Sequence, residues 1–414
     1  MVRAVRRPLK RGRVTSSTFF IMYGILKYIE DNNEGKYTCY NTRKFSLDET
    51  IKDTVSENSD LDINPVNDAG KFAEDDCSRQ DTVLISEKDI KNIRRPWFKY
   101  FLDGSRHVYK VDDIAIGDKI YPVLAGQLVV GCCYREDRDS FKKAKIISKI
   151  VVALPKLFYT KRAKIEDFAK SYCEQMNEKL TKENRFFREH NIKVDKITFY
   201  ETSVAETDLN KYRNSGIAKI QNEMTDEEQL MVRDLCREKK LGDTAWLIKD
   251  GSLQYNPNFS NMDLAQFNSM RSNYNRVVGV SKSFNPDLLK NFQGKKMAPI
   301  IAGLKPFERT KAYVYVSEHS YGQKFAIWYL RLRKETGIRE TNFSDIIKCE
   351  AVIDGSGVML SDDIDSICAN LIQEAYPVCY GKDSRWANHL YPVYLTETFC
   401  KSNYLTDNVF LSLF

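Results

Sequence analysis

The tripeptide Asp-Gly-Ser occurs three times in this chain: in WFKYFLDGSRHVYK at Asp103, in TAWLIKDGSLQYN at Asp250 and in CEAVIDGSGVML at Asp354. Asp-Gly is common chemistry for a tight turn, so three strands turning over is one reading of the repeat. The other reading is chemical. A carboxylate at the end of a central strand is held by ladder hydrogen bonds, and the glycine after it lets the chain turn away without covering the acid. Two such aspartates meeting in space can hold a divalent cation for phosphodiester hydrolysis. Asp103 and Asp250 each follow an apolar, aromatic-containing run and suit that role. Asp354 follows a shorter segment, with a glycine on either side of Ser356, and suits a hairpin or connecting loop.

Two aspartates rarely suffice, because two ions roughly 4 Å apart need a bridging carboxylate and further acids. Oxygen ligands in octahedral geometry select Mg²⁺ or Mn²⁺ over zinc. The stretch before the Asp250 run offers Glu223, Asp226, Glu227 and Glu228. Glu228, four residues after Met224, borders the apolar face of its predicted helix and can point toward a sheet. Taken singly, each of these acids also fits a solvated surface. No GxSxG or comparable motif supplies a side-chain nucleophile, which leaves water to attack. Arg94, Arg95, Lys99 and Arg106 interleave with Trp97, Phe98 and Tyr100, a mixture that can track a nucleic-acid strand by charge and stacking, although several of these rings belong in a core.

The elements that must position these groups follow from periodicity. WFKYFLDGS, DKIYPVLAGQLVVGCCY, KVDKITFYE, TAWLIKDGS, YNRVVGVSKSF, AYVYVSEH and QKFAIWYLRLRK read as strands. KAKIISKIVVALPKLFY fits a strand, with a spacing that is also helical. Ile165 to His190 and Lys211 to Lys240 carry helical periodicity, the second with an expected break near Thr225. SDDIDSICANLIQEAY predicts a helix with Ser361 as N-cap, and the tail from Trp386 has helix-like spacing. Strands interleaved with helices predict an α/β fold, a mixed sheet with helices on its faces.

The totals agree with a folded protein. The 414 residues are 42% hydrophobic and carry a net charge of +7, which permits a phosphate-bearing partner without demanding one. The ten cysteines are scattered with no CxxC, which argues against a structural zinc site and for reduced thiols in a cytoplasmic protein. No apolar run approaches a membrane span, and the basic, partly apolar start lacks a signal-peptide cleavage site. Three regions emerge: a basic arm and helix over 1–46, with the helix expected from Thr18 to Glu30; an acidic loop or insertion over 47–90; and a globular domain over 91–414.

FLDGSR followed by PVLAGQLVVG, then a helix with Met-x-x-x-Glu, then LIKDGSL and RVVGVSKSF, resembles the NurA family of DNA-end-processing nucleases. The resemblance runs in order from about Trp97 to the C-terminus, and its most specific part is the DGSL…VVGVSK pair. It implies an RNase H-like core for residues 91–414, similar to the PIWI domain of Argonaute, and Mn²⁺-dependent (or Mg²⁺-dependent) DNA cleavage. It also implies a homodimer docked on a hexameric HerA-type translocating ATPase, acting in DNA repair or antiviral defence. Carried over by motif, Asp103 and Asp250 become metal-binding acids, and the helical glutamate falls on Glu228, with Glu227 and Glu223 as neighbours. Lys282 would face the cleft and meet a phosphate, with Arg106 and Tyr391 as further nucleic-acid-binding residues. In the tail NHLYPVYLTETFCKS, Tyr391, Pro392 and Leu395 match, but Phe399 stands where the family has histidine, and His389 becomes the substitute metal ligand. That departure opens the alternative of a catalytically degenerate RNase H-like nucleic-acid-binding or adaptor subunit.

Overall fold

A computed structural model describes residues 23–32, 37–48, 70–78, 80–137, 140–159, 164–202, 209–253, 271–317, 323–334, 341–353, 357–380, 383 and 385–414. The basic arm, residues 49–69 of the acidic stretch and Asp354 lie outside them.

Thirteen strands among the described residues form one sheet: β1 (Tyr37–Cys39), β2 (Phe45–Ser46), β3 (Thr82–Leu84), β4 (Phe98–Ile116), β5 (Lys119–Arg135), β6 (Phe141–Pro155), β7 (Lys196–Tyr200), β8 (Trp246–Asp250), β9 (Val277–Ser281), β10 (Glu308–Thr310), β11 (Tyr313–Ser317), β12 (Gln323–Arg331) and β13 (Ile346–Val352). Their order is β3-β10-β12-β13-β9-β8-β4-β5-β6-β7, with β1 and β2 on β4 and β11 on β12. β4, β5 and β6 are long antiparallel neighbours. On the other side of β4, β8 runs parallel to it and β9 parallel to β8. This five-strand centre has the RNase H-like arrangement, and the mixed α/β sheet expected from the pattern is the one observed.

Side chains alternate across a sheet, and here the alternation sorts them into two cores. Tyr100, Leu102 and Leu247 pack with Met224 and Met231 of the helix Leu209–Arg237. Phe101, Ile248 and Val280 pack on the opposite face with Ile367 and Leu371 of the helix Ser361–Glu374 and Val393 of the helix Tyr391–Lys401.

Several local expectations are refined. KAKIISKIVVALP is strand β6, not helix. The helix Leu209–Arg237 runs unbroken through Thr225, whose hydroxyl donates to the Gln221 carbonyl instead of interrupting the ladder. Ser361 is the first helical residue and not the cap; its hydroxyl donates to Glu74 at 3.0 Å. Glu74 is fully buried and also accepts from Arg309 at 2.9 Å and from the Ala312 amide at 2.9 Å. The described end of the acidic stretch is therefore tied down on the sheet. The helical part of the N-terminal segment that is described spans Ile25–Asp31. All ten cysteines are free. No helix among the described residues is long and apolar enough to cross a membrane.

Candidate metal centre

The parallel pairing of β4 with β8 sets Leu102 opposite Lys249, so the next residue on each strand, Asp103 and Asp250, come side by side. Each shares the face of the residue two before it, Phe101 and Ile248, which is the face covered by the helix Tyr391–Lys401. That helix contributes Glu397. Asp103, Asp250 and Glu397 each offer an oxygen, and the three oxygens lie within 4.8 Å of one another.

Their environments differ. Asp103 is 5% exposed, and its Oδ2 is buried with no hydrogen-bond partner. Burial, followed by the Asp250 carboxylate, pushes its pKa well above the usual carboxylate range. Asp250 and Glu397 share one cation: Lys282 Nζ, just past the end of β9, lies 2.8 Å from Asp250 Oδ2 and 2.8 Å from Glu397 Oε2. Lys401 Nζ, one helical turn on, reaches Glu397 Oε1 at 2.6 Å. Burial alone would raise Glu397, but Lys282 and Lys401 outweigh it and hold the group well below its ordinary value. Burial likewise works against the Lys282 ammonium, and Asp250, Glu397 and Asp103 together overcome it, so its pKa rises.

A second layer borders this cluster. His389 is 2% exposed, with Nδ1 lying 3.9 Å from Glu397 Oε2 and making no hydrogen bond. Burial, then Lys282, lowers its pKa, which favours the neutral imidazole that ligates metals. Asp383 grips Arg385 through both oxygens, at 3.0 and 2.8 Å, and Arg385 Nη1 donates to Ser283 Oγ at 2.9 Å.

Glu228 is on the other side of the sheet. It approaches β4 at Gly104, where a Cβ would stand 2.2 Å from its Oε1. Its Oε2 pairs with Lys249 Nζ at 2.7 Å, and that ammonium also donates to the Asp250 carbonyl at 3.0 Å. The reason is alternation: Gly104 follows Asp103 and Lys249 precedes Asp250, so both face the opposite way from the two acids. Glu227 pairs with Lys149, and Glu223 with Lys196 at 2.6 Å. Arg106, on the Gly104 face, bonds Gln221 and pairs with Asp48 at 3.5 Å. Tyr391 is the half-buried first residue of the helix that carries Glu397. Phe399 lies next to Gly131, with Lys143 Nζ 6.0 Å from its ring centroid.

Glu397 is the acid that sequence reasoning passed over. Its signal was present: it is the only acid in YPVYLTETFCK, an otherwise uncharged helix up to its final lysine.

Three carboxylates from two strands and a helix, one with an orphaned buried oxygen, form a donor set that suits a hard divalent cation. The chain matches no family model and no curated protein. Among solved structures it is similar to the NurA nuclease from Sulfolobus solfataricus, with a TM-score of 0.35 and 10% sequence identity over 73% of this chain and 78% of that one. A likeness at that level says nothing of chemistry, which has to rest on the side chains themselves.

Proposed function

We propose that this chain is a metal-dependent nuclease that hydrolyses DNA phosphodiesters at the Asp103–Asp250–Glu397 cluster. The observation that supports it is the convergence of those three carboxylates within 4.8 Å, with Asp103 Oδ2 left unpartnered. These three residues would hold Mn²⁺ or Mg²⁺, with His389 beside Glu397 as a further ligand. Bound there, the ion supplies Lewis acidity, lowering the pKa of an attacking water and offsetting charge on the leaving oxygen. Lys282 keeps its proton and is poised to meet a substrate phosphate when it releases a carboxylate. Asp383 and Ser283 hold Arg385 in one orientation near the same cluster. Glu228 acts in this reading through Lys249, by fixing the Asp250 backbone.

The test is cleavage of a labelled DNA duplex and single strand with Mn²⁺, expected to vanish in Asp103→Asn and Asp250→Asn. One observation favours a second reading, a nucleic-acid-binding subunit that no longer cuts: Lys282 already places a cation between Asp250 and Glu397. Calorimetric titration with Mn²⁺ separates the two, since a silent site would bind no ion. From the sequence resemblance, the proposal extends to a homodimer and to a hexameric HerA-type ATPase as partner in end processing or defence. Sedimentation of the chain alone and mixed with such an ATPase tests both.

A further inference from the structure

Beside the carboxylate cluster stands a pair of aromatic rings that the hydrolytic reading does not use. Tyr380 is 70% exposed, the most exposed of the large hydrophobic side chains described. Its ring centroid lies 4.9 Å from that of half-buried Trp386, at an interplanar angle of 34°. Trp386 opens the short 3₁₀ turn Trp386–Asn388 that leads directly into His389, whose Nδ1 is 3.9 Å from Glu397 Oε2. Its other chain neighbour, Arg385, reaches Ser283, the residue after Lys282. The rings therefore sit a few residues of backbone from His389, with Arg385 next to Trp386 in the chain.

We propose that Tyr380 and Trp386 form a stacking platform for an unpaired base of a DNA strand whose phosphate lies at the carboxylate cluster. The inference rests on the nuclease reading and names its substrate feature, a single-stranded segment at the cutting point. Exposed aromatic faces beside fixed cations are what single-strand binding uses: rings take bases of any sequence, and the cations follow the backbone. An apolar partner helix would need a continuing hydrophobic surface. In the chain, the stretch between the rings is Gly-Lys-Asp-Ser-Arg (381–385), three of whose five residues are charged. The tryptophan pair Trp97 and Trp246 is placed differently. Trp246 begins β8 while Asp250 ends it, and Arg276 already covers the Trp246 ring at 5.2 Å.

The experiment measures binding of a fluorescent strand of about 15 nucleotides, the matching duplex and a strand with an abasic site, all in EDTA so that nothing is cut. Tyr380→Ala and Trp386→Ala should each weaken single-strand binding roughly 5- to 100-fold. Trp386→Phe should retain most of it, and the duplex should be little affected. The abasic strand should bind the wild-type chain more weakly than the intact strand at one position and lose little more in the variants. Tyr380→Ala, at a surface position, keeps the test valid should Trp386→Ala fail to fold. Unchanged single-strand affinity in Tyr380→Ala and in the double variant Tyr380→Ala with Trp386→Phe overturns the proposal. So does a loss of association with a protein, including a second copy of this chain, without a loss of DNA binding. If the wild type never cuts yet the ring variants lose single-strand affinity, the nuclease reading falls and the platform stands. If cutting needs Asp103 and Asp250 while the rings change nothing, the reverse holds.

Discussion

Asp103-Gly104-Ser105 and Asp250-Gly251-Ser252 are the same tripeptide in two physical situations. The first runs through the middle of a 19-residue strand, paired to Gly131, Val130 and Val129 of β5, and makes no turn at all. Its glycine is there because Glu228 crowds that position from the helix beyond. The second ends its strand, and its glycine has φ +84°, a left-handed conformation that costs most other residues about 1–2 kcal/mol. After it, Glu350 catches Ser252 Oγ at 2.8 Å and the Leu253 amide at 2.7 Å. One aspartate is fixed by being embedded in a ladder, the other by a turn clamped from β13. Two supports of such different kind bring their oxygens together because β4 and β8 are parallel neighbours in register.

The comparison breaks most visibly at the acids themselves. Asp103→Asn and Asp250→Asn should each lower DNA cleavage by about 10²-fold or more while leaving the far-ultraviolet circular dichroism unchanged, since both remove a proposed metal oxygen but keep shape. Glu397→Gln should fall in the same class. Glu228→Gln should cost less than any of them, because its carboxylate reaches the site only through Lys249. A Glu228→Gln loss equal to that of Asp103→Asn would mean that the two faces of the sheet share the chemistry.

Next in size are the glycines. Gly104→Ala drives a methyl into Glu228 and should destabilise the fold by about 1–3 kcal/mol in urea unfolding. Combining it with Glu228→Ala, which also unpairs Lys249, should cost less than the two changes summed, a less-than-additive destabilisation in a double-mutant cycle. Gly251→Ala should cost about 1–2 kcal/mol through backbone strain, with Gly251→Asn milder because asparagine tolerates the left-handed region. No substitution at Glu228 should rescue Gly251→Ala. A shared rescue would show that the two glycines serve one purpose after all.

How much of this was legible depends on range. The strands that carry the two acids, and the pairing of those acids, could be read because apolar runs and the Asp-Gly-Ser repeat are local signals. The mixed α/β sheet could be read for the same reason. The role of Gly104 could not, since a glycine making room for a distant helix and a glycine making a turn look alike in sequence. Glu228 was drawn toward the cluster because an amphipathic helix predicts which face meets the sheet, but not on which side of the sheet that helix lies. Glu397 was missed because the tail's conspicuous feature is the absent histidine, two residues further on at Phe399. The approach of Glu397 to Asp103 spans most of the chain and leaves no local trace.

The smallest effect is the one that probes the difference in charge. Asp103 has no donor for its buried Oδ2, whereas Asp250 has Lys282, so ionising Asp103 in the absence of metal costs the fold stability. Its folded pKa lies above the unfolded value of about 3.9. Between those two values the folded state binds more protons, and stability falls as pH rises, levelling off above the folded pKa. In EDTA, the difference between wild type and Asp103→Asn should therefore be small near a pH of about 4 and grow toward neutrality, where the variant is the more stable of the two. Melting curves across that range read it directly. Adding Mn²⁺ should invert the ranking: an ion at about one hundred times its dissociation constant adds about 2.7 kcal/mol to the wild type and little to the variant. A wild type that melts the same with EDTA and with Mn²⁺ at every pH would show that the strain at Asp103 is relieved by something other than a cation.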